Sequence, residues 1–299
     1  MRVTQNMINR NLQYAISDNL ELLGKLNEQL STGLRVNRVS DDVSAAGKIM
    51  RMQRENSTID IYLQNLGTAE GVLSVASSSL QTASETVSSL KERAIQAASG
   101  TLTASDRLTL ADGVDGLLDT LLNVANVSHS GAYVFSGEAT ETLPFQATYD
   151  ENGDVSSVVY AGGLTSTEAR VGSATTTRVN LVGKDVFQSQ GDIFQTAIEL
   201  RDAMRADDVE EIQRLLDELD DCHAGIRRAM GQVGERQNQL TSLRQTAESL
   251  KALNEELISD SQDADVAALS IQYNSSLTIL QAALKVAASA VLPSLAEYL

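Results

Sequence analysis

The stretch Val266-Ala-Ala-Leu-Ser-Ile-Gln-Tyr273-Asn-Ser-Ser-Leu277-Thr-Ile-Leu280-Gln-Ala-Ala-Leu284-Lys-Val-Ala287-Ala-Ser-Ala-Val291 decides the fold. Val266, Tyr273, Leu280 and Ala287 recur every seven residues, and Leu277, Leu284 and Val291 form a second series. From Tyr273 onward the steps alternate four and three, the spacing of a coiled-coil seam. The opening of the chain answers it. Ile16, Leu23 and Leu30 repeat at seven, with Leu12 and Leu26 at complementary offsets. Between Val266 and Val291 the only charge is Lys285. A helix so weakly polar outside its seam needs cover on several sides, more than one intramolecular partner supplies. Of these, Leu12, Ile16, Leu23, Leu26, Leu30, Val266, Tyr273, Leu277, Leu280, Leu284 and Val291 are the candidate assembly surface.

Working inward, the flanks read as long helices. Asp42 can cap a helix from Val43 to about Ser99, broken at Gly100-Thr-Leu-Thr103. Thr103 with Asp106 forms a capping-box pattern for a helix to about Asn126. Asp192 with Gln195 opens a short helix, and Asp208 with Glu211 opens a long one to roughly Ile258. A polar joint over 260–265 precedes the last helix. Only 2 prolines stand in 299 residues, which favours uninterrupted helices.

The middle differs. Residues 131–191 hold most of the aromatic side chains and a dense set of glycines. Ala147 to Tyr160 reads as a hairpin around Asn152-Gly153, a pair suited to a tight primed turn. The expected fold is mainly α: a long antiparallel helical bundle or coiled coil built from the N- and C-terminal segments, with a small inserted β domain. The expected division is a terminal rod (1–41 and 260–299), a helical core (42–130 and 192–259) and an outer β domain (131–191), the last dispensable for the rod.

Composition narrows function. Lys plus Arg total 23 against 40 Asp plus Glu, a net charge of −17, which excludes nucleic acid as a main partner. The longest charge-free run, Val266 to Leu284, is too polar for membrane insertion. Residues 1–20 lack the continuous apolar core of a cleaved signal peptide. One cysteine, Cys222, permits no intramolecular disulfide.

No motif for chemistry survives inspection. Cys222 and His223 are adjacent on a helix and point about 100° apart, so they do not converge on a metal. Asp150, Asn152 and Asp154 imitate a calcium loop, but Val155 and Ala161 replace its required Gly and Glu. Lys184 lacks the following Ser or Thr of a phosphate loop. Asp217, Glu218, Asp220 and Asp221 read as a solvated helix face. No catalytic residue, cofactor or metal ligand is expected.

Several motifs carry a family resemblance. Leu26-Asn-Glu-Gln-Leu-Ser-Thr-Gly-Leu-Arg-Val-Asn37 with Ser40-Asp-Asp-Val-Ser-Ala-Ala-Gly47 resembles the N-terminal signature of bacterial flagellins and their hook–filament junction relatives. Met1-Arg-Val-Thr, the run Leu90 to Arg107, Gly131-Ala-Tyr-Val-Phe-Ser-Gly137 and Ser294-Leu-Ala-Glu-Tyr-Leu299 resemble the junction branch. Val43 replaces the proline frequent in the family after the paired aspartates, and Ala296-Glu297 interrupts its terminal leucines. The resemblance implies an extracellular structural subunit at the junction between hook and filament, self-associating in a helical zone. It implies the first hook-associated protein on the hook side, flagellin on the filament side, a cytoplasmic export chaperone, and type III export. The alternatives are a filament subunit and, further off, a secreted enzyme on the same helical frame.

Overall fold

The computed structural model describes residues 5–151 and 153–291. The described chain is mainly helical. In order it runs α1 (Gln5–Thr32), α2 (Val43–Ala97), α3 (Ala104–Ala125), β1 (Ser128–His129), β2 (Ala132–Tyr133), β3 (Phe145–Tyr149) and β4 (Val155–Tyr160). It continues through β5 (Glu168–Arg170), β6 (Thr176–Arg178), α4 (Gly183–Phe187), α5 (Ile193–Arg205), α6 (Val209–Gln262) and α7 (Val266–Val291). Its contacts separate into two compact units, one of residues 1–58 with 249–299 and one of residues 59–248.

The larger unit is organised by heptads. On α2 the fully buried side chains are Leu66, Ala69, Leu73, Ala76, Leu80, Ala83, Val87, Leu90, Ala94 and Ala97. Their steps alternate three and four, so one stripe of a slightly underwound helix stays inward for nine turns of the count. Residues 212, 215, 219, 222, 226, 229 and 233 make the matching buried row on α6. Ser84 Oγ lies 2.9 Å from His223 Nε2, Lys91 pairs with Asp220, and Arg244 pairs with Glu70 at 2.7 Å. Rising numbers on α2 meet falling numbers on α6, so the two helices are antiparallel.

Helix ends are set by local chemistry. Thr103 caps α3 in a complete capping box, its hydroxyl accepting from the Asp106 N–H while the Asp106 carboxylate accepts from the Thr103 N–H. Hydrogen bonds from Thr103 hold the Asp106 carboxyl below its ordinary pKa. That carboxylate's contribution is therefore complete above about pH 4 and is lost as pH falls through the lowered value. Thr103→Ala should cost about 1 kcal/mol, read as a lower urea midpoint at unchanged slope. Buried Arg107 closes the other side of this bend. Its Nε and Nη2 donate to the carbonyls of Ala97 and Ser99 at the end of α2, and its Nη1 pairs with Asp207.

The inserted strands form three separate antiparallel pairs: β1 with β2, β3 with β4, and β5 with β6. In the longest, Phe145 faces Tyr160 and Ala147 faces Val158, with the register shifting between Thr148 and Tyr149. Asn152, half of the turn signal, lies outside the described residues. These hairpins do not enclose a core of their own. Phe145 and Val155 belong to the same buried cluster as the α2, α3, α5 and α6 rows. Phe145 lies 4.9 Å from Phe194 and 5.4 Å from Phe187 between ring centroids. Gly183 starts α4 where any Cβ would meet the Phe135 carbonyl at 2.8 Å and the Phe145 ring at 2.7 Å, so only glycine fits. Asn126 exchanges two 2.9 Å hydrogen bonds with the Phe145 backbone, and Arg201 donates to the Val155 carbonyl at 2.8 Å.

Candidate assembly interface

The smaller unit contains α1, the first turns of α2, the last turns of α6 and α7. After α1 the chain reverses at Gly33, whose φ of +73° suits glycine as a helix terminator. Residues 33–36 then lie along the end of α6. Arg35 N–H donates to the Gln262 carbonyl at 2.7 Å, Arg35 Nη2 to the Ser261 carbonyl at 2.7 Å, and Ala264 N–H to the Gly33 carbonyl at 2.9 Å. Asp42 caps α2 through the Ala45 N–H at 2.9 Å, while Asp41 accepts from the N–H groups of Asn37 and Arg38. Backbone hydrogen bonds chiefly hold both carboxyls below their ordinary pKa, from Arg38 for Asp41 and from Ala45 for Asp42. Val36, Ala46 and Ile49, with Ala45 and Ile258, form a small separate core. The motif of residues 26–47 is thus a clasp that joins α1, α2 and the α6–α7 corner.

The polar joint expected over 260–265 is shorter than that. The α6 helix continues to Gln262 because Arg35 N–H and Arg35 Nη2 accept the role of partners for its last carbonyls. Three residues, 263–265, then connect it to α7, and Asp265 caps the new helix through Ala268 N–H at 3.0 Å.

α1 and α7 pack as an antiparallel pair, with Asn19 Nδ2 donating to the Ser276 carbonyl at 3.4 Å. On α1 the seam uses Leu23 and Leu26, which are buried, with Leu12, Ile16 and Leu30 half-buried around them. On α7 the row turned toward α1 is Leu269, Tyr273, Ser276, Leu280, Ala283 and Ala287, again in alternating steps of four and three. Leu277 is half-buried beside it. Val266 and Leu284 are exposed, and the side chain of Val291 lies outside the described residues. The series containing Tyr273, Leu280 and Ala287 is therefore an intramolecular seam. The companion series differs by one position: Ser276 and Ala283 face inward where Leu277 and Leu284 carry the stronger hydrophobic signal.

Away from that seam, α7 exposes further large apolar side chains. Ile271 is 72% exposed, Ile279 57% and Val286 54%, all within about 80° of one another around the helix. Met7 and Tyr14, also seven apart, are exposed on α1. Large apolar side chains gathered on one side of a helix mark an interaction surface more than singly scattered ones do.

The residues examined for chemistry take structural places. Cys222 occupies the α6 buried row, and burial pushes its thiol up to about 11, far from a reactive thiolate. His223 hydrogen-bonds Ser84, and burial, with Arg227 and Lys91 nearby, lowers its pKa, so the imidazole is neutral at pH 7. Glu218 pairs with Arg214 and Asp220 with Lys91, while Asp217 and Asp221 are exposed. Among the described residues no group of three His, Cys, Asp or Glu could hold a metal ion, and no helix is long and apolar enough to cross a membrane.

Comparison with known proteins agrees with this arrangement. Residues 3–140 match the family model described as the bacterial flagellin N-terminal helical region. The chain is 34% identical to flagellar hook-associated protein 3 of Salmonella typhimurium over 198 residues, which cover 63% of this chain and 57% of that protein. It is 29% identical to flagellar hook-associated protein 3 of Escherichia coli over 94% of both chains. A solved structure of flagellar hook-associated protein 3 from Legionella pneumophila shares the fold, with a TM-score of 0.63 at 18% identity, covering 71% of this chain and 98% of that one. In its helical N-terminal motif, its clasped terminal helices and its length, the chain is similar to bacterial flagellins and to hook-associated proteins.

Proposed function

We propose that the chain is a structural subunit of the bacterial flagellum that forms the junction between hook and filament and serves as an adaptor for flagellin assembly. The observation that carries this reading is the outer row of Ile271, Ile279 and Val286 on a helix whose other face is already occupied by α1. Neighbouring copies would cover that row, so subunits self-associate in a helical ring or zone. The first hook-associated protein stands on the hook side and flagellin on the filament side. A cytoplasmic chaperone holds the chain before export to an extracellular position. The role is mechanical and involves no catalysis.

The division of labour follows the ranges 1–41 with 260–299 for the assembly rod, 42–130 with 192–259 for the helical core, and 131–191 for the outward region. These are boundaries of role. Burying a branched aliphatic side chain contributes about 1.5–3 kcal/mol, and such terms repeat at each subunit contact.

Electron microscopy of a strain lacking the gene, with a blot for flagellin in the medium, tests the reading. Hooks without filaments, together with shed flagellin monomer, are the expected result. Intact filaments of normal composition would overturn it and favour a redundant filament subunit.

A further inference from the structure

We infer that copies of this chain dock side by side through two oppositely charged helix faces, Arg51 and Arg54 of α2 on one copy meeting Glu256 and Asp260 of α6 on the next. Around α2, at about 100° per residue, Val43, Gly47, Met50, Arg51, Arg54 and Thr58 fall within an arc of about 100°, and all are exposed. Ala46 and Ile49 lie outside that arc, in the small core. Around the end of α6, Ser249, Leu250, Leu253, Glu256 and Asp260 share an arc of about 120°, again all exposed. Each face carries apolar side chains beside its charges: Val43 is 71% exposed and Met50 51%, Leu250 43% and Leu253 49%. Lys48 and Glu55 border the α2 face with opposite charges.

Nearby in the same unit, basic side chains find acids within the chain. Lys25 pairs with Asp41 at 3.3 Å, Arg35 with Asp42 at 3.3 Å and Arg38 with Glu28 at 3.0 Å. Among the described residues none of Arg51, Arg54, Glu256 and Asp260 forms an ion pair, and Arg54 Nε donates to the Met50 carbonyl of its own helix at 3.2 Å. Two copies that each carry a net charge of −17 repel one another at long range. Close docking therefore needs a local meeting of opposite charge, which also fixes the orientation of the pair. The α2 face supplies the positive side of that meeting and the α6 face the negative.

The two faces also stand at one height. Asn254 Nδ2 donates to Asn56 Oδ1 at 3.0 Å across the antiparallel pair of α2 and α6. Arg54 lies two residues before Asn56, and Glu256 two residues beyond Asn254; Arg51 and Asp260 follow one turn further on. A neighbour of the same orientation, displaced sideways without a shift along the helices, therefore sets Arg54 against Glu256 and Arg51 against Asp260. The same displacement brings Leu253 level with Ser57, where Met50, Gln53, Arg54 and Ser57 line an open hollow of about 480 Å³. Because the basic and acidic faces are different surfaces of one copy, the contact is heterologous and passes from copy to copy around a ring. A face this small makes a weak contact singly and gains by repetition. The inference rests on the reading that copies self-associate, and it names a surface other than the outer side of α7.

The test is cross-linking of purified full-length protein at about 1 mM, where a contact of millimolar Kd is populated. Thr58→Cys in one chain and Ser249→Cys in another put one thiol on each face and keep the charges, while Cys222 is buried. A short bismaleimide should join the mixed chains through positions 58 and 249, in at least about fivefold greater yield than either variant alone. Salt at about 1 M, with a screening length of about 3 Å, should cut that yield at least about threefold. Arg51→Glu with Arg54→Glu in the Thr58→Cys chain should remove the excess. Adding Glu256→Arg with Asp260→Arg in the Ser249→Cys chain should restore it to within about twofold. If the α2 reversal unfolds the chain, the α6 reversal against the parental α2 face decides the matter by the same loss. Equal yields from the mixture and the single variants, an excess untouched by either reversal, or no recovery when both folded reversals are combined would each overturn the proposal. The assay needs no flagellum, so failure here leaves the loss of filaments in the deletion strain to judge the junction reading separately.

Discussion

Ile279→Asp leaves the isolated protein folded and abolishes its incorporation into the flagellum. Ile279 is 57% exposed on α7, away from the α1 seam, so the substitution should change monomer stability by no more than about 0.5 kcal/mol. In a neighbour's apolar surface the same carboxylate would be buried without a partner. A penalty of about 3 kcal/mol per contact lowers each association constant by roughly two orders of magnitude. The helical zone repeats that penalty at each subunit. A strain expressing only this variant should be non-motile and release flagellin into the medium, with parental thermal unfolding of the purified variant. Leu26→Asp is the counterpart. Leu26 is 3% exposed within the seam, so that variant should lose the α1–α7 pair in the monomer itself. Normal motility with Ile279→Asp would mean that the outer row of α7 is not the assembly surface.

Phe145→Ala should be the most damaging single truncation in the larger unit, at about 3–5 kcal/mol. Phe145 is 1% exposed and touches the rings of Tyr160, Phe187 and Phe194. Its strand is also tied to α3 through Asn126. Because the hairpin shares one buried cluster with the helices, the loss should move the helical transition followed by far-UV circular dichroism. A variant whose helical midpoint is unchanged would show that the hairpins fold apart from the helices. The same argument bears on removing residues 138–188, expected from sequence to leave the helical frame intact. That deletion takes away Phe145, Val155 and Phe187, all members of the shared cluster.

The helix boundaries were legible because they are written in short-range chemistry. Thr103 with Asp106, Asp192 before Phe194, and Asp208 before Glu211 each place an acceptor where the first turn has spare N–H groups. The hairpin of Phe145 to Tyr160 was legible for a similar reason, since its turn residues and alternation are local. The inward row of α7 was not. Ser276 and Ala283 occupy it because a close helix pair needs small side chains, and small side chains carry little hydrophobic signal. Leucines one position along drew the reading away, and Leu284 proves to be exposed. The outer row of Ile271, Ile279 and Val286 was hidden by the same habit of assigning apolar residues to a single seam. The shared core was beyond local reading altogether, because Phe145 and Phe194 are brought together by the fold and not by spacing.

The small residues of the α1–α7 seam have a kinetic consequence. On α7 the most buried seam position is Ser276, at 5% exposure, and its neighbours in the row include Ala283 and Ala287. With Ser or Ala at three of the six α7 positions, this pair gains less from contact than an all-leucine seam would, against the same cost of ordering the backbone. A free subunit therefore gains little by meeting another free subunit, since both must order their ends to form one shared surface. At a growing tip that surface is already rigid and only the newcomer pays. Elongation from an existing end is favoured over spontaneous nucleation, so the subunits collect where a template stands and stay dispersed elsewhere.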